Sequence, residues 1–197
     1  MILDAPLVSK SGRILLVPPT EDDDANVAAL RTNSTTRTYL RFLPATFTTV
    51  QQAARRVERG SDTTLVDFHI HTSDGAFVGT LVYFNIDMKR NAGISCEIGV
   101  LVDYERTRTG LGTEALYTLM EHIFEVKGFH RAEFQTRRDN IAMRGWLERA
   151  GVVLEGTRRE FWQDPESGEY SDLCIYGVLA REWEETVKGK LEARIGV

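Results

Sequence analysis

Apolar residues recur along this chain with two different periods, and the changes from one to the other set out its elements in order. Ile94, Cys96, Ile98, Val100 and Val102 share one face of an extended segment. Ser95, Glu97, Gly99 and Leu101 share the other, the two-residue period of a half-buried strand. A polar turn follows, Arg106-Thr107-Arg108-Thr109-Gly110-Leu111-Gly112. Beyond it Leu116, Leu119, Met120 and Ile123 repeat at helical spacing, and Lys127-Gly128 ends the helix. Strands are also predicted over 13–17, 65–71, 76–86, 131–136, 152–162 and 171–179. Pro18-Pro19 closes the first, Ser73-Asp74-Gly75 and Asp164 to Gly168 form hairpin turns, and Lys89 to Gly93 turns into the 94–102 strand.

The remaining helices follow from capping signals. Thr20 with Asp23 reads as a capping box for a helix over 21–32, and Thr49 with Gln52 as a second box for a helix ending near Arg59. Asn140 or Asp139 caps a short helix to about Arg149, stopped by Gly151. Residues 182–193 read as a charged terminal helix or tail. Passing from the 94–102 strand through a helix to 131–136 makes those two strands a parallel pair. No repeat, low-complexity tract or linker interrupts the pattern, so residues 1–197 form one α/β (α+β) domain, with 182–197 as its terminal helix or tail.

Composition narrows the partners. Twenty-four basic and 29 acidic residues leave a net charge of −5 and a pI near 5.5, which argues against nonspecific nucleic-acid binding. No apolar run reaches membrane-spanning length, and the N-terminal stretch lacks the pattern of a signal peptide, so a soluble, cytoplasmic protein with no membrane partner is expected. Cys96 and Cys174, both in apolar strands, read as buried free thiols. His69 and His71 share a strand face as metal ligands do, but with no third ligand in view no metal is assigned.

The strand–turn–helix unit carries the first chemistry. Glycines at the start of a helix bring backbone N–H groups together at its positive end, a site for an anion, phosphate above all; the alternative is a tight connection without a ligand. No Gly-Lys-Ser/Thr follows, which excludes a nucleoside triphosphatase loop. Thr113, Glu114 and Ala115 stand where a dinucleotide fingerprint requires a third glycine.

The order strand, two helices, three strands, helix, strand, helix, two strands resembles the GNAT acyltransferases, and within them the RimJ/RimL-like branch. The segments that carry the likeness are Glu97 to Asp103, Gly110-Leu111-Gly112-Thr113-Glu114-Ala115, Asn140-Ile141-Ala142 and Arg181-Glu182-Trp183. The resemblance implies a mixed, mostly antiparallel sheet of about seven strands, splayed between 94–102 and 131–136 and flanked by about four helices. It implies acetyl-CoA as co-substrate and no metal. The pantetheine arm would run along Leu101 and Val102, and the pyrophosphate would lie against Arg106, Thr107, Arg108, Thr109, Gly110, Leu111, Gly112 and Thr113. Asn140 would sit near the sulfur. Three positions depart from the pattern: Thr107 replaces an arginine or glutamine, Met143 a serine, and Trp146 the tyrosine that protonates the leaving thiolate in many relatives.

Acetyl transfer to an amine needs a base, and Glu97 is the candidate, on the strand beside the implied cofactor among apolar neighbours. Tyr176, Tyr83, Cys174 or a water on Asn140 are candidates for the acid, or no protein group at all. The expected activity is N-acetylation of a primary amine by direct attack in a ternary complex. The alternative is a catalytically impaired coenzyme-A-binding sensor or interaction module. The acceptor would be a small-molecule amine or a protein N-terminal amine, chosen by a pocket from 32–44, 83–90 and 160–174. The acidic hairpin residues Glu160, Asp164, Glu166, Glu169 and Asp172 point to a cationic one, with Trp162 and Tyr170 at the mouth or packed on the sheet. The protein would be a monomer or homodimer.

Overall fold

A computed structural model of the chain describes residues 6–88, 93–165 and 167–197; the turn expected at 89–93 lies, save for Gly93, outside them, as does Glu166. Eight strands form one sheet: β1 (Leu7–Val8), β2 (Ile14–Val17), β3 (Val66–Thr72), β4 (Phe77–Asp87), β5 (Ser95–Val102), β6 (Arg131–Arg137), β7 (Val153–Gln163) and β8 (Tyr170–Leu179). Their order is β1-β2-β3-β4-β5-β6-β8-β7, antiparallel throughout except between β5 and β6. The added strand relative to the expected seven is the two-residue β1, too short to leave a period in the sequence.

Period-two burial sorts the sheet into two faces. Phe68, Ile70, Leu81, Tyr83, Cys96, Ile98, Ala132, Phe134, Tyr176 and Val178 face one side, where they meet α4 (Leu111–Glu121), whose Ala115, Leu116, Leu119 and Met120 are buried. A π turn, His122–Val126, extends α4, and α5 (Ile141–Ala150) packs on the same layer through Leu147 and Ala150. The C-terminal segment belongs to this core and is not a solvated tail. Trp183, Val187 and Leu191, spaced four residues apart, are fully buried on a helical run that ends in α7 (Lys188–Ile195). Cys96 and Cys174 are free and buried.

The opposite face is covered by α1 (Asp24–Thr32) and α3 (Thr49–Gly60), joined through the short α2 (Ser34–Arg37). Together with α4, α5 and α7 this makes five helices of eight or more residues among the described ones, against the four expected. Two caps are corrected. The box on α3 is Thr48 with Gln51, one residue earlier than predicted, which frees Gln52 to turn inward. Thr20 makes no cap bond, because a 3₁₀ turn over Glu21–Asp23 precedes α1. No helix among the described residues is long and apolar enough to cross a membrane.

The feature that matters most for function is the junction of β5 and β6. They pair only at Ser95–Arg131, Cys96–Ala132 and Glu97–Glu133, then diverge while each continues for several residues. A gap therefore opens in the middle of the sheet just beyond Glu97.

Candidate functional site

At the far end of β5 the chain makes a 3₁₀ turn, Tyr104–Arg106, and enters α4 through Gly110. Gly110 is held at φ +87°, a left-handed conformation that glycine tolerates and other residues resist. Having no side chain, it caps nothing, so the first N–H groups of α4 stay open. The amides of Arg106 and Thr107 are used by Asp103 and Tyr104 carbonyls, and the first intrahelical bond runs from Glu114 N to Gly110 O. Among the described residues, none of the six consecutive N–H groups from Arg108 to Thr113 has a protein acceptor. Six unpaired donors at a helix N-terminus, flanked by the side chains of Arg106 and Arg108, suit a pyrophosphate.

A carboxylate sits behind this cradle, where charge would oppose an anion. Glu114, in the first turn of α4, is fully buried. Burial pushes its pKa up, but hydrogen bonds from Ser11 and Ser9 and the Arg13 guanidinium outweigh this and hold it below the usual range. Arg13 Nε lies 2.9 Å from Glu114 Oε2, so the charge is neutralised in place. Thr107 holds itself rather than reaching outward: its hydroxyl donates to Tyr104 O at 2.7 Å, and that of Thr109 to Arg106 O at 2.6 Å.

Between the cradle and Glu97 lies the opened edge of β5. A Cβ built on Gly79 of β4 would come within 2.2 Å of Leu101 O, so that carbonyl is turned toward β4 and only glycine fits opposite it. In a trans peptide the N–H of the next residue points the other way. Val102 therefore presents its N–H to the gap, while Leu101 contributes its side chain to a cavity on the α1/α3 face.

Glu97 stands where the gap begins. Its carboxylate accepts from Asn85 Nδ2 at 3.1 Å and Gln135 Nε2 at 3.2 Å, and Gln135 also donates to Glu133 at 3.0 Å. Burial raises the Glu97 pKa, the Asn85 bond offsets part of this, and the neighbouring Glu133 charge raises it further. Asn85 reaches Glu97 because β4 bulges between Phe84 and Asp87, placing Asn85 at φ +52°. Neither Asn85 nor Gln135 stood out in the sequence. Position 135 was legible as a same-face neighbour of 133 and 97, whereas the bulge left no signal beyond an asparagine, a residue that tolerates positive φ.

Asn140 caps α5, accepting from Met143 N at 3.2 Å and donating to Thr136 Oγ1 at 3.0 Å. Trp146 is a tie between helices: its indole donates to Thr113 Oγ1 at 3.0 Å, joining α5 to the first turn of α4. Of the candidate acids, Tyr176 has its hydroxyl fixed between Arg144 at 3.2 Å and Glu148 at 2.9 Å, and its pKa is raised chiefly by burial. Tyr83 and Cys174 are buried in the α4-side core, and burial pushes the Tyr83 hydroxyl up to about 12.

Two other expectations change. Two of the hairpin carboxylates are engaged: Asp164 is buried and paired with Arg41, and Asp172 accepts from Arg138 at 2.9 Å and Glu160 N at 3.0 Å. Phe42 stacks on Trp162 at 5.4 Å, so the loop after α2 and the β7–β8 hairpin meet. The histidine pair also has the third group that the sequence did not reveal. Asp23 Oδ2 lies 2.8 Å from His69 Nδ1 and 2.7 Å from His71 Nε2, all three close enough to share a cation. Ordinary hydrogen bonds already satisfy these atoms.

The chain matches the family model described as an acetyltransferase (GNAT) domain over residues 13–153, and it belongs to that family. It is 30% identical over 111 residues to YdaF of Bacillus subtilis (strain 168), a protein named as a ribosomal N-acetyltransferase; the match spans 56% of this chain and 58% of that one. The fold is shared with Mycobacterium smegmatis RimJ, solved in complex with CoA-disulfide, at a TM-score of 0.78 and 23% identity over 96% of this chain and 93% of RimJ. It is shared equally with spermidine N-acetyltransferase from Vibrio cholerae, solved with CoA and spermine, at a TM-score of 0.78 and 16% identity over 88% and 99% of the two chains.

Proposed function

We propose that this protein is an acetyl-CoA-dependent N-acetyltransferase of the RimJ/RimL-like branch, acting on a primary amine by direct attack in a ternary complex. The observation that carries this reading is the run of six unpaired N–H groups from Arg108 to Thr113 at the end of a splayed strand. The site fits the co-substrate: the amide run would hold the pyrophosphate, and the Val102 N–H in the gap would take a pantetheine carbonyl. When bound, acetyl-CoA supplies an activated thioester. The names of YdaF and the Vibrio cholerae enzyme agree with an amine acceptor.

Glu97 acts as the base. An ammonium cannot attack, so a proton must leave the acceptor nitrogen first, and a carboxylate with a raised pKa is better matched to that task than an ordinary one. Asn85 and Gln135 hold the carboxylate in one orientation. No phenol is assigned as the acid, since Tyr83 is buried in the core and the Tyr176 hydroxyl is held by Arg144 and Glu148; a coenzyme A thiolate is a tolerable leaving group, and orientation within the cleft supplies much of the acceleration. The test is thiol release from acetyl-CoA with a panel of amines. Amine-dependent release supports the reading, and tight coenzyme A binding without turnover on any amine would favour a sensor instead.

A further inference from the structure

The cavity between α1, α3 and the sheet holds charge that acetyl transfer as described does not use. It encloses about 260 Å³, and Leu43, Val82 and Phe84 form part of its apolar lining. That is slightly below the ~300–1,000 Å³ of sites for drug-sized ligands, so its occupant is small. Four arginines reach it from the helices. Arg56 is paired with Asp24 at 2.9 Å, and Arg59 with Asp67 at 2.5 Å. Arg31 and Arg55 have no ion pair or side-chain hydrogen bond among the described residues. Arg31 keeps only the Phe47 ring at 5.1 Å, and its Nε is buried without an acceptor.

Helix α3 is turned the wrong way round for a core helix. Val50 and Val57 are exposed, whereas Gln52 and Arg55 face inward. Gln52 is 2% exposed, lines the cavity and has an amide oxygen with no donor. The polar face of α3 is thus the one turned to the cavity. Burial, and then repulsion from Arg31 and Arg59, brings the Arg55 pKa down to about 10, with the Asp67 and Glu58 carboxylates offsetting only part of this. Two guanidinium forks with no direct ion-pair partner among the described residues match a carboxylate, the planar anion they can bind in parallel.

The cavity also adjoins the reacting centre. Gly99 and Phe84 line it; Phe84 is paired with Glu97, and Gly99 is two residues further along the same face, roughly 7 Å from it. We propose, building on the acetyltransferase reading, that the acceptor is a small amine bearing a carboxylate, bound by Arg31 and Arg55 so that its amino group is presented to Glu97. The amine nitrogen bonds to the thioester carbonyl carbon and the carbon–sulfur bond breaks. The proton taken from the amine is balanced by the one gained by the departing thiol. A polyamine, with no anionic group, would face four guanidinium groups and one lining carboxylate, Asp67, already paired with Arg59. That reverses the cationic acceptor suggested by the hairpin acidity.

The experiment compares glycine, L-glutamate and 4-aminobutyrate with their carboxamides and with spermidine, under saturating acetyl-CoA and thiol detection. At least one carboxylate should exceed its amide tenfold or more in kcat/KM. Arg55→Met should raise the KM for that acceptor at least tenfold, leave the KM for acetyl-CoA unchanged and not lower Tm, since it removes a charge repelled by Arg31. Arg55→Lys should restore part of the loss. Amides or spermidine used as well as the acids would overturn the proposal, as would an effect of Arg55→Met confined to acetyl-CoA. If no amine is turned over, the acetyltransferase reading fails separately, and thermal shift still reads the pocket. Stabilisation by the free acids but not their amides, lost in Arg55→Met, supports the anion site; no difference between acids and amides refutes it.

Discussion

Replacing Gly110 with alanine separates the anion cradle from the rest of the fold. Its φ of +87° is the constraint, because a Cβ at this position would meet nothing nearer than Arg13 Nη2 at 3.7 Å. The change therefore introduces backbone strain without a clash, about 1–2 kcal/mol for a left-handed L-residue. The free protein can relieve that strain by rotating the turn, but bound pyrophosphate must restore it. The dissociation constant for coenzyme A should then rise by up to about 5- to 30-fold, at ~1.4 kcal/mol per tenfold. Gly75→Ala supplies the control. Its φ is +88° and no atom lies within 4 Å of the added Cβ, but it sits in the β3–β4 hairpin turn. Isothermal titration should show weaker coenzyme A binding for Gly110→Ala alone. Equal affinities for wild type and Gly110→Ala, or equal weakening in both variants, would refute the reasoning.

Other outcomes follow from the same geometry. Glu97→Gln should lower kcat by roughly 10²–10⁴-fold and abolish the acid limb of the pH–rate profile, with coenzyme A affinity unchanged. Because the folded pKa of Glu97 is raised, this group favours the folded state below the ordinary carboxylate value and loses that contribution as pH rises through the raised one. Glu97→Gln should therefore raise Tm at pH 8 and leave it nearly unchanged at pH 4. Arg13→Met leaves the buried Glu114 carboxylate only Ser9 and Ser11 and should cost about 1–3 kcal/mol in urea unfolding, most of it recovered by adding Glu114→Gln. Asp23→Ala removes the shared acceptor of two imidazoles, one of them buried, and should cost on the order of 1–3 kcal/mol by the same measurement.

The order of the strands and the glycine turn into α4 were legible because each rests on local periodicity or on glycine chemistry within a few residues. The core role of the terminal helix was also in the sequence, at Trp183, Val187 and Leu191, but charged neighbours outnumber those three residues and hid it. Asn85 was not legible, since a bulge is set by the pairing of two strands and leaves no period of its own. Asp23 lies 46 residues from His69, so its bond to that ring depends on how α1 is seated on the sheet. Nothing in the sequence set the arginines of α3 apart. Only the exposure of Val50 and Val57 shows that the helix is inverted, and burial of that kind is a tertiary property.

The amides of residues 108–113, open in the free protein, should be closed by the pyrophosphate of coenzyme A. Hydrogen–deuterium exchange measured with and without coenzyme A tests this directly, with pantetheine as the phosphate-free control. Fast exchange across 108–113 in the free protein, strong protection with coenzyme A and little with pantetheine is the predicted result. Slow exchange in the free protein, or no added protection with coenzyme A, would contradict the account.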